Sequence, residues 1–368
     1  MELSNIKIVF DYRIFFLQKY GGISRYFNEL SNYIENSAIV APININHYLK
    51  NNKKSISFLN LKKIPRYTGK IIEKINDYST DYYLDKIKPS ITHLTYFQNK
   101  IKIKKKGATI ITVYDLIHEK FYKSYGHTKM KKIKQSYIDN ADFIICISKN
   151  TQKDLIDIYD VDPSKTSVIY LGANENLIKN ESFFELDYKY TSNRYILFVG
   201  DRKRYKNFDL LLNAYANSKI LKENFNLVCS GGGNFNKEEI KKILSLKLDF
   251  EKVINIQASD NELTNLYKNS SVFVFPSKYE GFGLPALEAM RNKCPTILSD
   301  TQVFKEIFEN NTIYFDQNHF EDLKIKLEKL LFDEITKKKI ILDAYEFSKK
   351  FTWENCAVQT KKIYEKFI

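Results

Sequence analysis

Short apolar runs alternate with stretches of helical periodicity along nearly the whole chain, and few folds tolerate that pattern. A run that is apolar at consecutive positions is buried on both faces, so it belongs in a parallel sheet with helices above and below. In the first half the expected strands are Ile6–Asp11, Ser90–Leu94, Thr109–Tyr114, Phe143–Ile147 and Val168–Leu171. Helices are expected over Ile23–Ile34 and after Ser148, an N-cap type of residue, through Gln152–Tyr159. A polar, poorly patterned stretch at Asp187–Arg194 interrupts the alternation, which then starts again. It runs through strand Tyr195–Val199, helix Phe208–Asn217, strand Asn226–Cys229, helix Lys237–Leu244 and strand Val253–Ile256. Helix Asn261–Tyr267, strand Val272–Phe275, a glycine-containing loop, a helix from Pro285 and strand Thr296–Leu298 follow. Phe320, Leu323, Leu327 and Leu330 mark a late amphipathic helix. The expected fold class is α/β: two doubly wound units in series, without an internal sequence repeat, and with a cleft between them as the natural ligand site.

The 368 residues suit two domains at roughly 150 residues each. A hydrophobic content of 43%, with 26 Tyr and 26 Phe, supplies two cores and excludes a disordered chain. No uncharged apolar run approaches the ~18 residues of a membrane span. Met1-Glu2-Leu3-Ser4-Asn5 lacks the basic stretch and small-residue site of a secretory leader. Cys146, Cys229, Cys294 and Cys356 lie far apart and give no zinc spacing, so buried, reduced thiols in a cytoplasmic protein are expected. The net charge of +14 is concentrated in residues 41–135, which hold 21 Lys/Arg against 6 Asp/Glu. Lys102–Lys106 and Lys129–Lys134 contribute most of it. Two readings stay open: solvated lysines in a Lys-, Ile- and Asn-rich composition, or an electropositive face for an anionic membrane surface. Nucleic acid is the weaker partner, because no base-reading motif accompanies the lysines.

The most specific segment is Pro276-Ser277-Lys278-Tyr279-Glu280-Gly281-Phe282-Gly283-Leu284-Pro285-Ala286-Leu287-Glu288. It follows an apolar strand, so it sits at the C-terminal edge of a sheet. Gly281 and Gly283 allow positive φ or close approach to a ligand. Pro285 suits a first helical position, which turns the free N–H groups of the helix start toward phosphate. Glu288 then falls in the first helical turn, where its carboxylate can accept two hydrogen bonds from a vicinal diol such as ribose. Glu280, on the loop, can hold a sugar hydroxyl or balance developing positive charge. A second cluster, Gly200-Asp201-Arg202-Lys203-Arg204-Tyr205-Lys206, also follows a strand, and an Arg fork plus a Lys point charge suits a diphosphate. Gly21 and Gly22 open a helix in the first half and offer backbone donors to phosphate, a weaker signal because paired glycines are common in turns. His118, near Asp115 and just past a strand, is placed to donate to a substrate hydroxyl; His93 follows another strand on the acceptor side, where packing at a cleft rim is the competing reading.

These residues resemble the family 4 retaining glycosyltransferases of the GT-B fold, particularly bacterial enzymes that build O-antigen and other surface polysaccharides, many of them mannosyltransferases. The resemblance covers nearly the whole chain, and Glu280-x7-Glu288 is its most specific part. It implies an acceptor-binding domain over residues 1–188, a nucleotide-sugar-binding domain over 189–352 and a crossover helix over 353–368, centred on Glu354–Phe367, that packs back on the first. By matching position, Arg202 and Lys206 resemble the pair that neutralises the donor diphosphate, and Glu288 the ribose-binding carboxylate. Glu280 with Gly281, Phe282, Gly283 and Leu284 resembles the group around the donor sugar and distal phosphate. Gly22 matches the glycine of the N-terminal loop, Ser230 and Gly231 the strand-end residues beside the nucleotide, and Gln257 a position near the base. Many members carry His-Asp-Leu where this chain has Tyr114-Asp115-Leu116, with the His contacting the donor sugar, and the resemblance leaves His118 as the catalytic residue to take over that contact.

The implied chemistry needs no cofactor, since the nucleotide-sugar is a co-substrate, and no metal. Arg202, Lys206 and the helix start at Pro285 are expected to stabilise the leaving diphosphate, with Glu280 steadying the sugar. The expected partners are a nucleotide-sugar, GDP-mannose or a UDP-sugar, a saccharide or lipid-linked saccharide acceptor, and the inner face of the cell membrane. A glycoside hydrolase, a nucleotide-sugar epimerase and a basic binding module are the alternatives.

Overall fold

The structure is a computed structural model that describes residues 2–98, 106–121, 127–173, 194–202 and 204–368, with residues 127 and 128 described by backbone alone. The chain forms two compact units, Met1–Gly172 with Thr352–Ile368, and Ala173–Phe351. The expected boundary within Asp187–Arg194 falls almost wholly outside the described residues; the first stretch of the first unit ends at Gly172.

In the first unit, β1 (Ile8–Phe10), β2 (Ser37–Val40), β3 (Ile43–Asn44), β4 (Ser55–Ile56), β5 (Leu59–Asn60), β6 (Ile91–Leu94), β7 (Ala108–Val113), β8 (Phe143–Cys146) and β9 (Thr166–Val168) appear in chain order. Seven of them form one sheet in the order β4-β2-β1-β6-β7-β8-β9, and β3 with β5 forms a small second sheet. Every pairing is parallel. The inner strands β1, β2, β6 and β8 are buried at every residue and β7 at every residue after Ala108, which is why these segments read as largely apolar runs. The last strand is Thr166–Val168, not the expected Val168–Leu171, because Thr166 and Ser167 pair with Ile144 and Ile145. Ser148 does cap the helix Lys149–Tyr159, accepting from the Thr151 N–H at 3.0 Å.

The second unit carries β10 (Tyr195–Val199), β11 (Asn226–Ser230), β12 (Val253–Ile256), β13 (Val272–Phe275), β14 (Thr296–Ser299) and β15 (Ile313–Phe315) in the order β12-β11-β10-β13-β14-β15, again all parallel. Its core joins Phe198, Leu211, Leu227, Val274, Leu323 and Leu327. The strand order reverses between β10 and β13 in this unit and between β1 and β6 in the other. Loops leaving the carboxyl ends of such neighbouring strands diverge to opposite faces, and the crevice they leave is where doubly wound sheets take ligands.

The closing helix Trp353–Tyr364 belongs to the first unit. Its Trp353 ring lies 6.3 Å from that of Tyr26 in the helix Gly22–Tyr33. Gly172 has no room for a side chain: a Cβ there would meet the Trp353 nitrogen at 2.2 Å.

Candidate functional site

The reversal point of the second unit is built from the two segments singled out in the sequence. Leaving β10, the chain turns through Gly200 at φ 136° into the short helix Arg204–Lys206. Leaving β13, it runs through Pro276–Gly283 into the helix Leu284–Arg291. The two are tied together where the Lys278 N–H donates to the Tyr205 carbonyl at 2.7 Å. Beside that tie, Lys206 Nζ lies 2.7 Å from Glu280 Oε1, and both side chains are nearly buried, at 12% and 13% exposed. The ammonium also sits 5.1 Å from the ring centroid of Phe275 and 5.3 Å from that of Tyr205. An opposite-charge pair set on aromatic faces, away from bulk water, interacts more strongly than one on the surface.

The helix after the loop begins at Leu284, so Pro285 is its second residue and Glu288 lies beyond the first turn, not within it. Gly283 caps the helix at φ 110°, and a Cβ there would approach Phe304 to 2.9 Å; Gly281 is not among the left-handed glycines. Phe282 turns its ring into the core, 2% exposed and 5.9 Å from Phe351, so its contribution toward a ligand is limited to its backbone. Glu288 accepts from the Tyr267 hydroxyl at 3.3 Å. Sequence reading gave Tyr267 no role: it is an ordinary helical residue, and its partner lies 21 positions away.

Arg202 departs from the expected open phosphate fork. Its Nε donates to Glu239 Oε1 at 2.9 Å, its Nη1 to the Gly231 carbonyl at 2.6 Å, and its Nη2 to the Gly233 carbonyl at 2.8 Å. The side chain is 2% exposed, and its guanidinium stacks 4.9 Å from the ring centroid of Phe235. The reason is the turn Gly231-Gly232-Gly233, all at positive φ, which points a row of carbonyls at one cation. Arg202 therefore organises the strand-end loop. Gly231 packs against Gly200, with 3.0 Å from its ideal Cβ to the Gly200 carbonyl oxygen, and the Ser230 carbonyl accepts from the Gly200 N–H at 2.8 Å. Glu239 was also missed, although Asn236-x-x-Glu239 is a capping-box spacing. Gln257, just past β12, is exposed and donates to Asn255 Oδ1 at 2.9 Å.

In the first unit, Gly21 has an extended φ of 164° and caps the helix Gly22–Tyr33. The expected phosphate donors there are partly used: Gln18 Oε1 accepts from the Ser24 N–H at 3.3 Å. Asp115 Oδ1 accepts from the Ile117 N–H at 3.1 Å, and half-buried His118 lies in the helical turn Ile117–Lys120. Tyr114, at the position where a His is common, is 7% exposed and packs edge-on to Tyr26. His93 is not at an acceptor surface. It is fully buried, its Nδ1 2.6 Å from the Tyr364 hydroxyl and its Nε2 2.9 Å from Thr112 Oγ1, and burial pushes its pKa down to about 3. It links the closing helix to the sheet. Lys134, from the basic run, is likewise buried, bonded to Glu119 at 2.9 Å. Lys100–Lys105 and Lys123 lie outside the described residues.

Residues 54–177 match the description Glycosyltransferase Family 4, and residues 179–347 match Glycosyl transferases group 1. The chain belongs to the family 4 glycosyltransferases. A glycosyltransferase of Methanocaldococcus jannaschii is 31% identical over 61% of this chain and 60% of its own length. The O-antigen chain mannosyltransferase RfbU of Salmonella typhimurium is 30% identical over 46% of each chain. The matches thus span about half to three fifths of these relatives. Among solved structures, the Thermosynechococcus elongatus sucrose-phosphate synthase superposes with a TM-score of 0.74 at 19% identity, covering 98% of both chains. The Anabaena protein HepE, solved with UDP and glucose, gives 0.74 at 15% identity over 98% of this chain and 99% of its own. The fold is therefore GT-B, with two Rossmann-like domains. Among the described residues, no helix is long and apolar enough to cross a membrane.

Proposed function

We propose that this glycosyltransferase moves a hexose, with mannose from GDP-mannose as the leading candidate and a UDP-sugar as the second, onto a saccharide or lipid-linked saccharide acceptor with retention of anomeric configuration and without a metal ion. Kinship with an O-antigen mannosyltransferase supports the sugar and the acceptor class. The observation that carries the site assignment is the Lys206–Glu280 pair at the reversal point of a parallel sheet, beside a helix N-terminus.

Breaking the anomeric C–O bond leaves negative charge on the diphosphate and positive character on the sugar. Lys206 is the cation for the first. The main-chain N–H groups of Gly283 and Leu284 extend that field, and Arg202 holds the glycine turn while adding its charge from behind. Glu280 is the anion for the second, released from Lys206 toward the sugar as the diphosphate claims the ammonium. Glu288, steadied by Tyr267, takes the ribose diol. Ser230, Gly231 and Gln257 lie along the nucleoside side, His118 at the donor sugar and Asp115 on the acceptor side, with Gly21 and Gly22 near the distal phosphate. A donor phosphate oxygen accepts the acceptor's proton on the face that the leaving group vacates. The basic surface of residues 41–135 holds the enzyme to an anionic membrane where a lipid-linked acceptor resides.

A thermal-shift panel of GDP- and UDP-sugars tests the donor assignment. One nucleotide class raises the unfolding midpoint, and Glu288→Ala removes that rise; indifference to every nucleotide-sugar contradicts it. Proton NMR of the product reads the anomeric configuration, and inversion overturns the retaining mechanism.

A further inference from the structure

The helix Gly69–Ile87 is apolar on two sides. Its inner face is Ile72, Asn76, Thr80, Leu84 and Ile87, two of them polar. Asn76 fills its place by pairing with the backbone of Ile43, accepting from its N–H at 2.9 Å and donating to its carbonyl at 2.8 Å. Ile71, Ile75, Tyr78 and Tyr82 recur at helical spacing and are 61%, 45%, 77% and 51% exposed, which puts them in one outward stripe. The segment before the helix adds Phe58 and Tyr67, 67% and 97% exposed. Tyr67 sits at φ 65°, a left-handed conformation costly for a bulky residue, and holds its ring in solvent. Single exposed apolar residues are ordinary, but a contiguous stripe of this kind marks a docking surface.

The charges around the stripe say what docks. Lys62, Lys63, Arg66, Lys70, Lys74 and Lys86 are all exposed along this segment. The helix carries four acidic side chains, Glu73, Asp77, Asp81 and Asp85, and three of them have partners in other elements. Asp77 accepts from the Tyr12 hydroxyl at 2.7 Å, Glu73 accepts from Gln98, and Asp85 pairs with Lys106 at 2.9 Å. The six exposed basic residues outnumber these four acids, so the outward field is net positive. Two copies of the face would oppose like charges, and a nucleic-acid backbone makes no use of Ile71 and Ile75.

We propose that the outward face of helix Gly69–Ile87, with Phe58 and Tyr67, is the surface that seats the protein on an anionic lipid bilayer. Tyr67, Tyr78 and Tyr82 lie at headgroup depth, where an amphipathic ring is favoured, Ile71 and Ile75 reach the acyl boundary, and the lysines meet anionic headgroups. The inference rests on the membrane association proposed above and assigns it to one helix.

Flotation of the full chain with vesicles of phosphatidylcholine alone, and of phosphatidylcholine with phosphatidylglycerol, tests it at low and physiological salt. The protein floats with the anionic vesicles and does so less at higher salt. Ile75→Ser with Tyr78→Ser, and separately Lys70→Gln with Lys74→Gln, each lower the partition about tenfold or more. Circular dichroism and the unfolding midpoint stay unchanged. If the wild type floats and both variants float equally, another surface binds lipid and the inference falls while membrane association stands. If the wild type never floats, both fall, and sugar transfer to a water-soluble acceptor is judged separately. Dimerisation or RNA binding lost in these variants, without flotation, gives the face a different occupant and overturns the proposal.

Discussion

Lys206 and Glu280 share one ion pair, 2.7 Å apart and nearly buried, so neither can be removed quietly. Lys206→Ala leaves the Glu280 carboxylate without this partner and, on the proposed mechanism, removes the cation that meets the diphosphate; turnover is expected to fall about 100- to 1,000-fold, read as nucleotide release under saturating donor. Unchanged turnover would remove Lys206 from the mechanism. His93 belongs to stability. Its pKa is lowered from 6.5 to about 3 by burial, so between those values the unfolded chain binds a proton that the folded chain refuses. The stabilisation is complete above pH ~6.5 and is lost as pH falls toward 3. Denaturant unfolding should show that acid slope in the wild type and a shallower one in His93→Gln.

At the scale of elements, the site is two loops leaving neighbouring parallel strands, and the backbone of Gly283 decides how the second becomes a helix. At φ 110°, with Phe304 only 2.9 Å from an added Cβ, Gly283→Ala is expected to cost about 1–3 kcal/mol and to lower the midpoint of the second unit by several degrees in calorimetry. Strands β10 and β13 coincide with their apolar runs because full burial leaves no other pattern. The glycine-bearing loops were equally legible, since strand, loop and helix start are contiguous in sequence. Helix Gly69–Ile87 was not: Asn76 and Thr80 share the inner face with Ile72, Leu84 and Ile87 while Ile71, Ile75, Tyr78 and Tyr82 face out, so its periodicity does not single out the buried side. Partners brought in from a distance were illegible too. Glu239 lies 37 positions from Arg202, and the Gly231–Gly233 carbonyls that complete its coordination come from another strand end. The basic residue type was visible; what the fold asks it to hold was not.

Over the whole molecule, each unit carries its candidate residues at the carboxyl edge of its own parallel sheet, and the chain returns to the first unit for its last helix. The four cysteines are all buried, and burial pushes the Cys146, Cys294 and Cys356 thiols up to about 12 and that of Cys229 higher still. A thiol-specific reagent at neutral pH should label none of them in the folded protein and all four on unfolding. The most direct test of the account is acceptor-dependent release of nucleoside diphosphate from GDP-mannose and from a panel of UDP-sugars, in the presence of EDTA. Release with one donor class, undiminished by the chelator and lost in Lys206→Ala, is the predicted result; no release from any donor, or release that the chelator abolishes, would contradict it.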